Sequence, residues 1–383
     1  MCGSTSQRKS MNIGIEAQRI FRPKKHGMDV VAIELIKNLQ AIDNVNQYTI
    51  YAREGVNDIF TEAPNFRISM LPSYTYADWE QVKLVREIKK RKPDLLHCTA
   101  NTAPLSLKVP LIVTIHDIIY LEQVDFKGTA YQNLGNLYRR FIVPRIAKTA
   151  ELILTVSEFE RDNILKKFQF PEEKVQVLYN GVGTQFNTSY PQSDIEAFRK
   201  QYNLPSEFIM FLGNTAPKKN TPNVIKAYVQ YCKENEDAIP LVLLDYKKEF
   251  VAKMLEELKQ PALLSRFVFP GYVPYKSIPL MYNAATVFLY PSLRESFGLP
   301  ILEAMACGLP VITSTTSSMP EVAGDAAILV DPYNVDELSK AISKLMSDRQ
   351  LRTDLRSKGL ERIQQFTWKA SAEKLLNIYR SFS

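Results

Sequence analysis

Two glutamates, two lysines and one histidine are the residues of this chain whose types and spacing could do chemistry. Glu295 and Glu303 flank the middle of PSLRESFGLPILEAMACGLPVITS, residues 291–314, with seven residues between them. The run starts where an apolar stretch, Val287–Tyr290, ends. Glu295 and Ser296 fall in the loop, and Phe297-Gly298-Leu299 form a tight passage. Pro300 suits a first helical position, where its missing N–H is not needed. Ile301, Leu302 and Met305 then give a short apolar helix face, stopped by Gly308 and Pro310. Free N–H groups from Leu299 to Leu302 make this helix start a seat for a diphosphate. The two carboxylates are good acceptors for vicinal hydroxyls, one set on a sugar and one on a ribose. Taken singly each has a plainer reading: Glu303 complements the helix terminus and Glu295 is a solvated loop acid. The strand–loop–helix context favours the chemistry.

A second segment, FIMFLGNTAPKKN (208–220), runs a strand into Gly213 and Asn214 and then Lys218 and Lys219. Two adjacent lysines are ordinarily surface solvation. After a strand end they can neutralise a leaving nucleoside diphosphate, whose charge grows in the transition state. No Asp-x-Asp pair occurs in the chain, so we expect no metal and no other cofactor, and the lysines carry that task. His116 ends VPLIVTIHD, where a ring nitrogen could orient or polarise an acceptor hydroxyl. His97 in PDLLHC has a similar place and less support. Gly27, in KKHGMD, permits close approach of a diphosphate, and a simple turn explains it equally well.

The elements that must position these residues alternate from end to end. Expected strands of the first half are Asn12–Glu16, Tyr48–Ala52, Phe66–Leu71, Leu95–Cys98, Pro110–His116, Leu152–Val156 and Val175–Leu178. Helical patterns lie between several of them, at Val30–Leu39, Val82–Arg91, Leu137–Ala150 and Glu158–Lys167. After a polar linker, Asn187–Ser193, the pattern restarts with Phe208–Leu212, Leu241–Leu244, Val268–Pro270, Val287–Tyr290, Pro310–Thr313 and Ile328–Val330. Short, continuously apolar runs are what buried parallel strands require. The fold class is therefore α/β, two Rossmann-like domains whose parallel sheets face each other across a cleft, with ligands at the carboxyl ends of strands. A last amphipathic helix, Trp368–Phe382, has no following strand and must pack on something already built.

The 383 residues exceed one ordinary domain of roughly 100–200 residues. The net charge of +7 is uneven: residues 1–190 carry 25 − 20 = +5. That excess suits an acidic partner, such as a phosphate-bearing acceptor or an anionic membrane, or else a solvated surface. The segment KLVREIKKRKPD (83–94) is a candidate for peripheral membrane contact, although Leu84, Val85 and Ile88 fit a core better. Basic residues are not interleaved with aromatics, so nucleic acid is not an expected partner. Four scattered cysteines form no paired spacing and suit a reducing, cytoplasmic location, at most at the inner face of a membrane. Met1–Ser10 is polar and reads as a tail.

These pieces resemble the retaining glycosyltransferase family 4 (glycosyl transferases group 1), of the GT-B fold. The resemblance runs from Met11 onward and is strongest over residues 208–332. Glu295 and Glu303 match its E-x7-E signature; GYVP (271–274), YPSLRESFG (290–298) and MPEVAGDAAILVDP (319–332) look like its C-terminal blocks. PDLLHCTANTAP, TIHDIIYL, TVSEFERDNI and VQVLYNGV are similar to its N-terminal segments. The resemblance implies an acceptor-binding domain at 11–190, a nucleotide-sugar domain at 191–366, and a helix at 367–383 returning to the first. It implies that Glu295 contacts the donor sugar, Glu303 the ribose, and Phe297, Gly298 and Leu299 the sugar and phosphate by their backbone. Lys219 matches the diphosphate lysine, His116 the active-site histidine, Gly27 the N-terminal glycine loop, and Tyr272-Val273 the base region. Three positions depart from the pattern: Lys218 stands where many members have arginine, Asn214 where some place another arginine, and DYKKEF lacks the glycine common there.

The expected activity is retaining transfer of a hexose from a nucleotide-diphosphate sugar to a glycan or lipid-linked acceptor in cell-surface polysaccharide synthesis. The PKKN loop resembles mannosyl-transferring relatives, which favours GDP-mannose. A sugar-nucleotide epimerase or glycan phosphorylase of the same fold, and a non-catalytic nucleotide-binding module, are the alternatives.

Overall fold

The computed structural model describes residues 10–22, 25, 27–57, 59–61, 63–122 and 130–383. The polar stretch up to Lys9, together with Lys24 and His26 beside Gly27, lies outside the described residues. The chain divides into two compact units, Met1–Asn180 with Trp368–Ser383, and Gly181–Thr367. The two parallel sheets of the expected α/β, GT-B architecture are both present.

In the first unit the strands are β1 Asn12–Glu16, β2 Gln47–Arg53, β3 Phe66–Leu71, β4 Leu95–Cys98, β5 Leu111–Thr114, β6 Leu152–Thr155 and β7 Val175–Val177. Their order is β3-β2-β1-β4-β5-β6-β7, every pair parallel. The central strands LLHC, LIVT and LILT are buried at every position, as a sheet covered on both faces demands. Between strands run α1 Gly27–Ile42, α2 Val85–Arg91, α3 Ala130–Thr149 and α4 Glu158–Phe168. A π-helical turn, Trp79–Leu84, precedes α2 where the sequence suggested a single helix from Val82. Leu84, Val85 and Ile88 are buried there, and Lys89, Lys90, Arg91 and Lys92 are exposed. Ser157 caps α4, its hydroxyl accepting from Glu160 N at 3.2 Å.

The second unit holds β8 Ile209–Leu212, β9 Leu241–Leu244, β10 Phe267–Val268, β11 Val287–Tyr290, β12 Val311–Ser314 and β13 Ala327–Val330, ordered β10-β9-β8-β11-β12-β13 and again parallel. Three of its helices matter below: α5 Gln192–Gln201, α6 Thr221–Glu234 and α7 Leu299–Ala306. The polar stretch expected as the linker is part of this unit, and the division falls earlier, at Asn180. Val182 N donates to Phe366 O at 2.9 Å and Asn283 Nδ2 to Asn187 O at 3.0 Å, which fastens residues 182–187 to the second body.

The terminal helix α8, Trp368–Arg380, is built into the first unit. Trp368, Leu375, Leu376 and Tyr379 join the core around Ile13, Leu39 and Tyr48. His97 explains its own burial here: Nδ1 meets Tyr379 Oη at 2.7 Å and Nε2 meets Thr114 Oγ1 at 2.8 Å. Burial, with His116 adding, pushes it down to about 3, so it is a neutral latch between β4 and α8. Among the described residues no helix is long and apolar enough to cross a membrane.

Candidate functional site

In each sheet the strand order reverses once, between β1 and β4 and between β8 and β11. Loops leaving such neighbours on opposite faces open a crevice at the carboxyl ends of the strands. In the second unit those loops are 213–220 and 291–298, which carry the two lysines and Glu295.

Three fastenings set this geometry. Lys218 and Lys219 lie on the 3-10 turn Pro217–Lys219, and Lys218 O accepts from Leu293 N at 2.7 Å. Asn220, in the left-handed region at φ 61°, donates its side-chain amide to Pro291 O and Pro332 O, tying both loops to the end of β13. Ser318 Oγ donates to Glu295 O and Phe297 O at 3.0 and 2.9 Å, and Ser317 Oγ accepts from Glu295 N at 3.1 Å. Phe297 itself is buried edge-on against Phe366.

Held this way, Glu295 Oε1 lies 2.8 Å from Lys219 Nζ and Oε2 3.3 Å from Lys218 Nζ. Lys219 Nζ also donates to Tyr290 Oη at 3.0 Å and stands 4.6 Å from that ring's centroid. Burial raises the Glu295 carboxyl, and the ammonium groups of Lys219 and then Lys218 more than offset it, leaving the carboxyl below its ordinary range. The same carboxylate and burial push the Tyr290 hydroxyl well up.

Gly298 caps α7 at φ 104°, a backbone that other residues rarely adopt. The helix start is narrower than expected. Pro300 has no N–H, and Ile301 N is bonded to Gly298 O at 2.9 Å. The N–H groups of Gly298 and Leu299 have no acceptor among the described residues and remain to offer. Glu303, one turn on and half-buried, accepts from Tyr282 Oη at 3.1 Å and Tyr275 Oη at 3.3 Å. Burial pushes it up to about 7, the two hydroxyls pulling the other way. Gly213 ends β8, where a Cβ would stand 3.0 Å from the Phe211 ring. Asn214 Oδ1 accepts from Ala216 N and its carbonyl from Thr221 Oγ1, starting α6. In the GYVP loop Tyr272 is 76% exposed and Val273 is buried. Asp245, in the DYKKEF segment, takes φ 58°, so an acid fills the left-handed position where the resemblance led us to expect glycine.

His116 and Gly27 belong to the other unit. His116 is buried; its N donates to Asn101 Oδ1 at 2.6 Å and its Nε2 lies 2.9 Å from Thr99 O. A carbonyl only accepts, so Nε2 carries the ring proton and Nδ1 is a lone-pair acceptor. Burial lowers its basicity, the Thr99 bond working the other way. Gly27 is the first residue of α1 with open space where a Cβ would sit, so local packing does not demand glycine.

Several polar residues escaped the sequence reasoning. Tyr275, Tyr282, Tyr290, Ser317 and Ser318 hold the acids; of these, Tyr290 ends a strand and so carried a positional signal. In the first unit Glu16, at the end of β1, is buried and pushed up to about 7 by that burial. Nearby Glu80 accepts from Tyr138 Oη and Tyr76 Oη. The buried Gln18 amide has neither Oε1 nor Nε2 bonded among the described residues.

With this geometry in place, comparison with known proteins decides the family. The model described as Glycosyl transferases group 1 matches residues 194–362, and that described as Glycosyltransferase Family 4 matches residues 26–186. The chain belongs to glycosyltransferase family 4. The chain is 33% identical over 233 residues to O-antigen chain mannosyltransferase B of Escherichia coli, 61% of each chain being covered. It is 25% identical over 397 residues to the serotype-specific mannosyltransferase WbdA of Escherichia coli, covering 97% of this chain and 46% of that one. The chain thus spans 61% of the first relative's length and under half of the second's. Among solved structures, Anabaena Alr3699/HepE in complex with UDP and glucose superposes with a TM-score of 0.73 at 19% identity, over 97% of this chain and all of that one. At that identity the likeness is one of GT-B fold.

Proposed function

We propose that this glycosyltransferase moves a hexose, mannose in the first instance, from a nucleotide-diphosphate sugar to a glycan or lipid-linked acceptor of cell-surface polysaccharide, with retention of configuration. The observation that carries the reading is the grouping of Lys218, Lys219 and Glu295 at the second sheet's switch point, beside the Gly298 and Leu299 N–H groups. Two ammonium groups in this loop pair, with the N–H donors of Gly298 and Leu299 at the following helix start, suit the stabilisation of charge that develops on a departing diphosphate. The bound diphosphate competes with Glu295 for the lysines and releases that carboxylate to accept from a sugar hydroxyl. Glu303, Tyr275 and Tyr282 are assigned to the ribose, Tyr272 and Val273 to the base. On the acceptor side we assign His116, whose Nδ1 can accept from a hydroxyl, with the unbonded Gln18 amide and the Gly27 turn. The departing phosphate oxygen takes the acceptor proton on the face it leaves, so the protein supplies position and charge. No metal or other cofactor enters this scheme. The relatives' names as O-antigen chain mannosyltransferases support the mannose preference.

The test is turnover of GDP-mannose, compared with other nucleotide sugars, with a mannose-terminated acceptor, and the anomeric configuration of the product read by NMR. Glu295→Gln is expected to lose about 100-fold or more in kcat. Unchanged product formation by that variant, or an inverted product, overturns the assignment.

A further inference from the structure

Tyr290 stands inside the candidate site, and the transfer scheme gives it no task. It is the last residue of β11 and is buried, its carbonyl accepting from Thr313 Oγ1 of β12 at 2.9 Å. Phe288 is two residues back and so on the same face of the sheet; its ring lies within 24° of parallel to that of Tyr290, centroids 5.7 Å apart. On its other side Phe288 meets Tyr282, of the helix Ile278–Ala284, edge-on at 5.3 Å. Tyr282 is the residue whose hydroxyl donates to Glu303. The Tyr290 phenol is therefore set by a strand end and a row of buried rings, and not by a loop.

Lys219 has the opposite character. Its ammonium sits at the end of a flexible four-carbon stem, and serves a diphosphate well only where something fixes it. Among the described residues Nζ has two acceptors, Glu295 Oε1 at 2.8 Å and Tyr290 Oη at 3.0 Å, and an ammonium carries three donors. When Glu295 turns to a sugar hydroxyl, as the proposed transfer requires, the phenol is the acceptor that stays. One N–H remains on Tyr290, and two are released for phosphate oxygens. The Tyr290 ring, its centroid 4.6 Å from Nζ, attracts the same charge. Burial and the Glu295 carboxylate keep the hydroxyl un-ionised, so toward Lys219 it is a neutral acceptor.

We propose that Tyr290 is a positioning residue for diphosphate binding: its hydroxyl and ring hold the Lys219 ammonium in place once Glu295 has let go. It acts through Lys219 and does not itself touch the substrate. The inference deepens the proposed function and rests on its diphosphate reading of the two lysines.

Inorganic pyrophosphate is the probe, and its affinity for the full chain is measured by calorimetry. The parent, Tyr290→Phe, Lys219→Met and the double variant are compared, each checked for folding by its melting curve. Tyr290→Phe deletes one oxygen and keeps the ring; it is expected to weaken pyrophosphate about fivefold or more. Lys219→Met is expected to weaken it further. In the Lys219→Met background Tyr290→Phe is expected to change nothing, because no ammonium is left to hold. A hydroxyl that merely props the core would weaken binding equally in both backgrounds. Should Tyr290→Phe unfold, Tyr290→Met, which keeps an apolar side chain and loses the hydroxyl, takes its place in the same cycle. Equal affinity of the parent and Lys219→Met removes the diphosphate reading, and this proposal with it. Weakening by Lys219→Met, with Tyr290→Phe binding like the parent or with losses that add in the double variant, overturns the proposal alone.

Discussion

Replacing Lys219 by methionine keeps the length of the side chain and deletes the ammonium that Glu295 depends on. The Lys219 side chain is 17% exposed and that of Lys218 43%, so Lys219 is the better-shielded partner of a Glu295 side chain that is itself only 11% exposed. Breaking one arm of a buried pair typically costs about 3–5 kcal/mol. Lys218 remains, which reduces the expected loss to about 2–3 kcal/mol. For a unit of this size that is a fall in melting temperature of about 4–12 °C. The sign with pH follows from the carboxyl. In the parent its folded-state pKa lies below the ordinary value, so its stabilisation is present above pH 4.5 and disappears as pH falls. The loss in the variant is therefore largest near pH 7.5 and shrinks toward pH 4, where Glu295 takes up a proton. Scanning calorimetry at both pH values measures it, and the double variant Lys219→Met/Glu295→Gln should recover most of the lost stability. Transfer should not recover: turnover falls about 100- to 1,000-fold in both, because the diphosphate has lost a cation. A single variant as stable as the parent at pH 7.5, or one that transfers normally, refutes the reasoning.

Further outcomes follow from other parts of the structure. Gly298→Ala forces a side chain into φ 104° with its Cβ 3.2 Å from Ile301 Cδ1, and should cost about 1–3 kcal/mol by denaturant unfolding. Tyr379→Phe removes the hydroxyl bonded to His97 and should cost about 1–2 kcal/mol, with faster amide exchange in α8. Glu303 is held at about 7 in the folded chain, so the native state binds the extra proton between pH 4.5 and 7 and stability declines as pH rises through that window. Glu303→Gln should flatten that decline by about 1–3 kcal/mol, the lower figure applying because Tyr275 leaves one side open to solvent; Glu16 contributes a slope of the same sign that remains.

Strands were legible because a sheet covered on both faces needs unbroken apolar runs, and LLHC, LIVT and LVLL leave no other place to go. Helix limits were less so. The π-helical turn at Trp79–Leu84 conforms to packing under the first sheet, which no local pattern records. The division at Asn180 was hidden because polarity marks where the chain is wet, and Asn187 is wet yet bonded to the second unit. At the candidate site, residue types and spacing brought out both acids and both lysines. Their pairing was not legible, since the reach from Lys219 to Glu295 depends on β8 and β11 being neighbours. Tyrosines that hold Glu303 come from elements whose packing only the fold sets. His97 and His116 look alike in sequence, each near the end of an apolar strand, and differ only in what stands across from their rings.

The position of α8 bears on how the polypeptide is made. Residues 181–367 form one uninterrupted body and can close as soon as they leave the ribosome. The first unit lacks Trp368, Leu375, Leu376 and Tyr379 until residues 181–367 have been made, so its apolar interior stays open while the whole second unit is synthesised. A nonsense codon at Trp368 would therefore strike the first unit, leaving the lysine-bearing one intact and the other without its keystone.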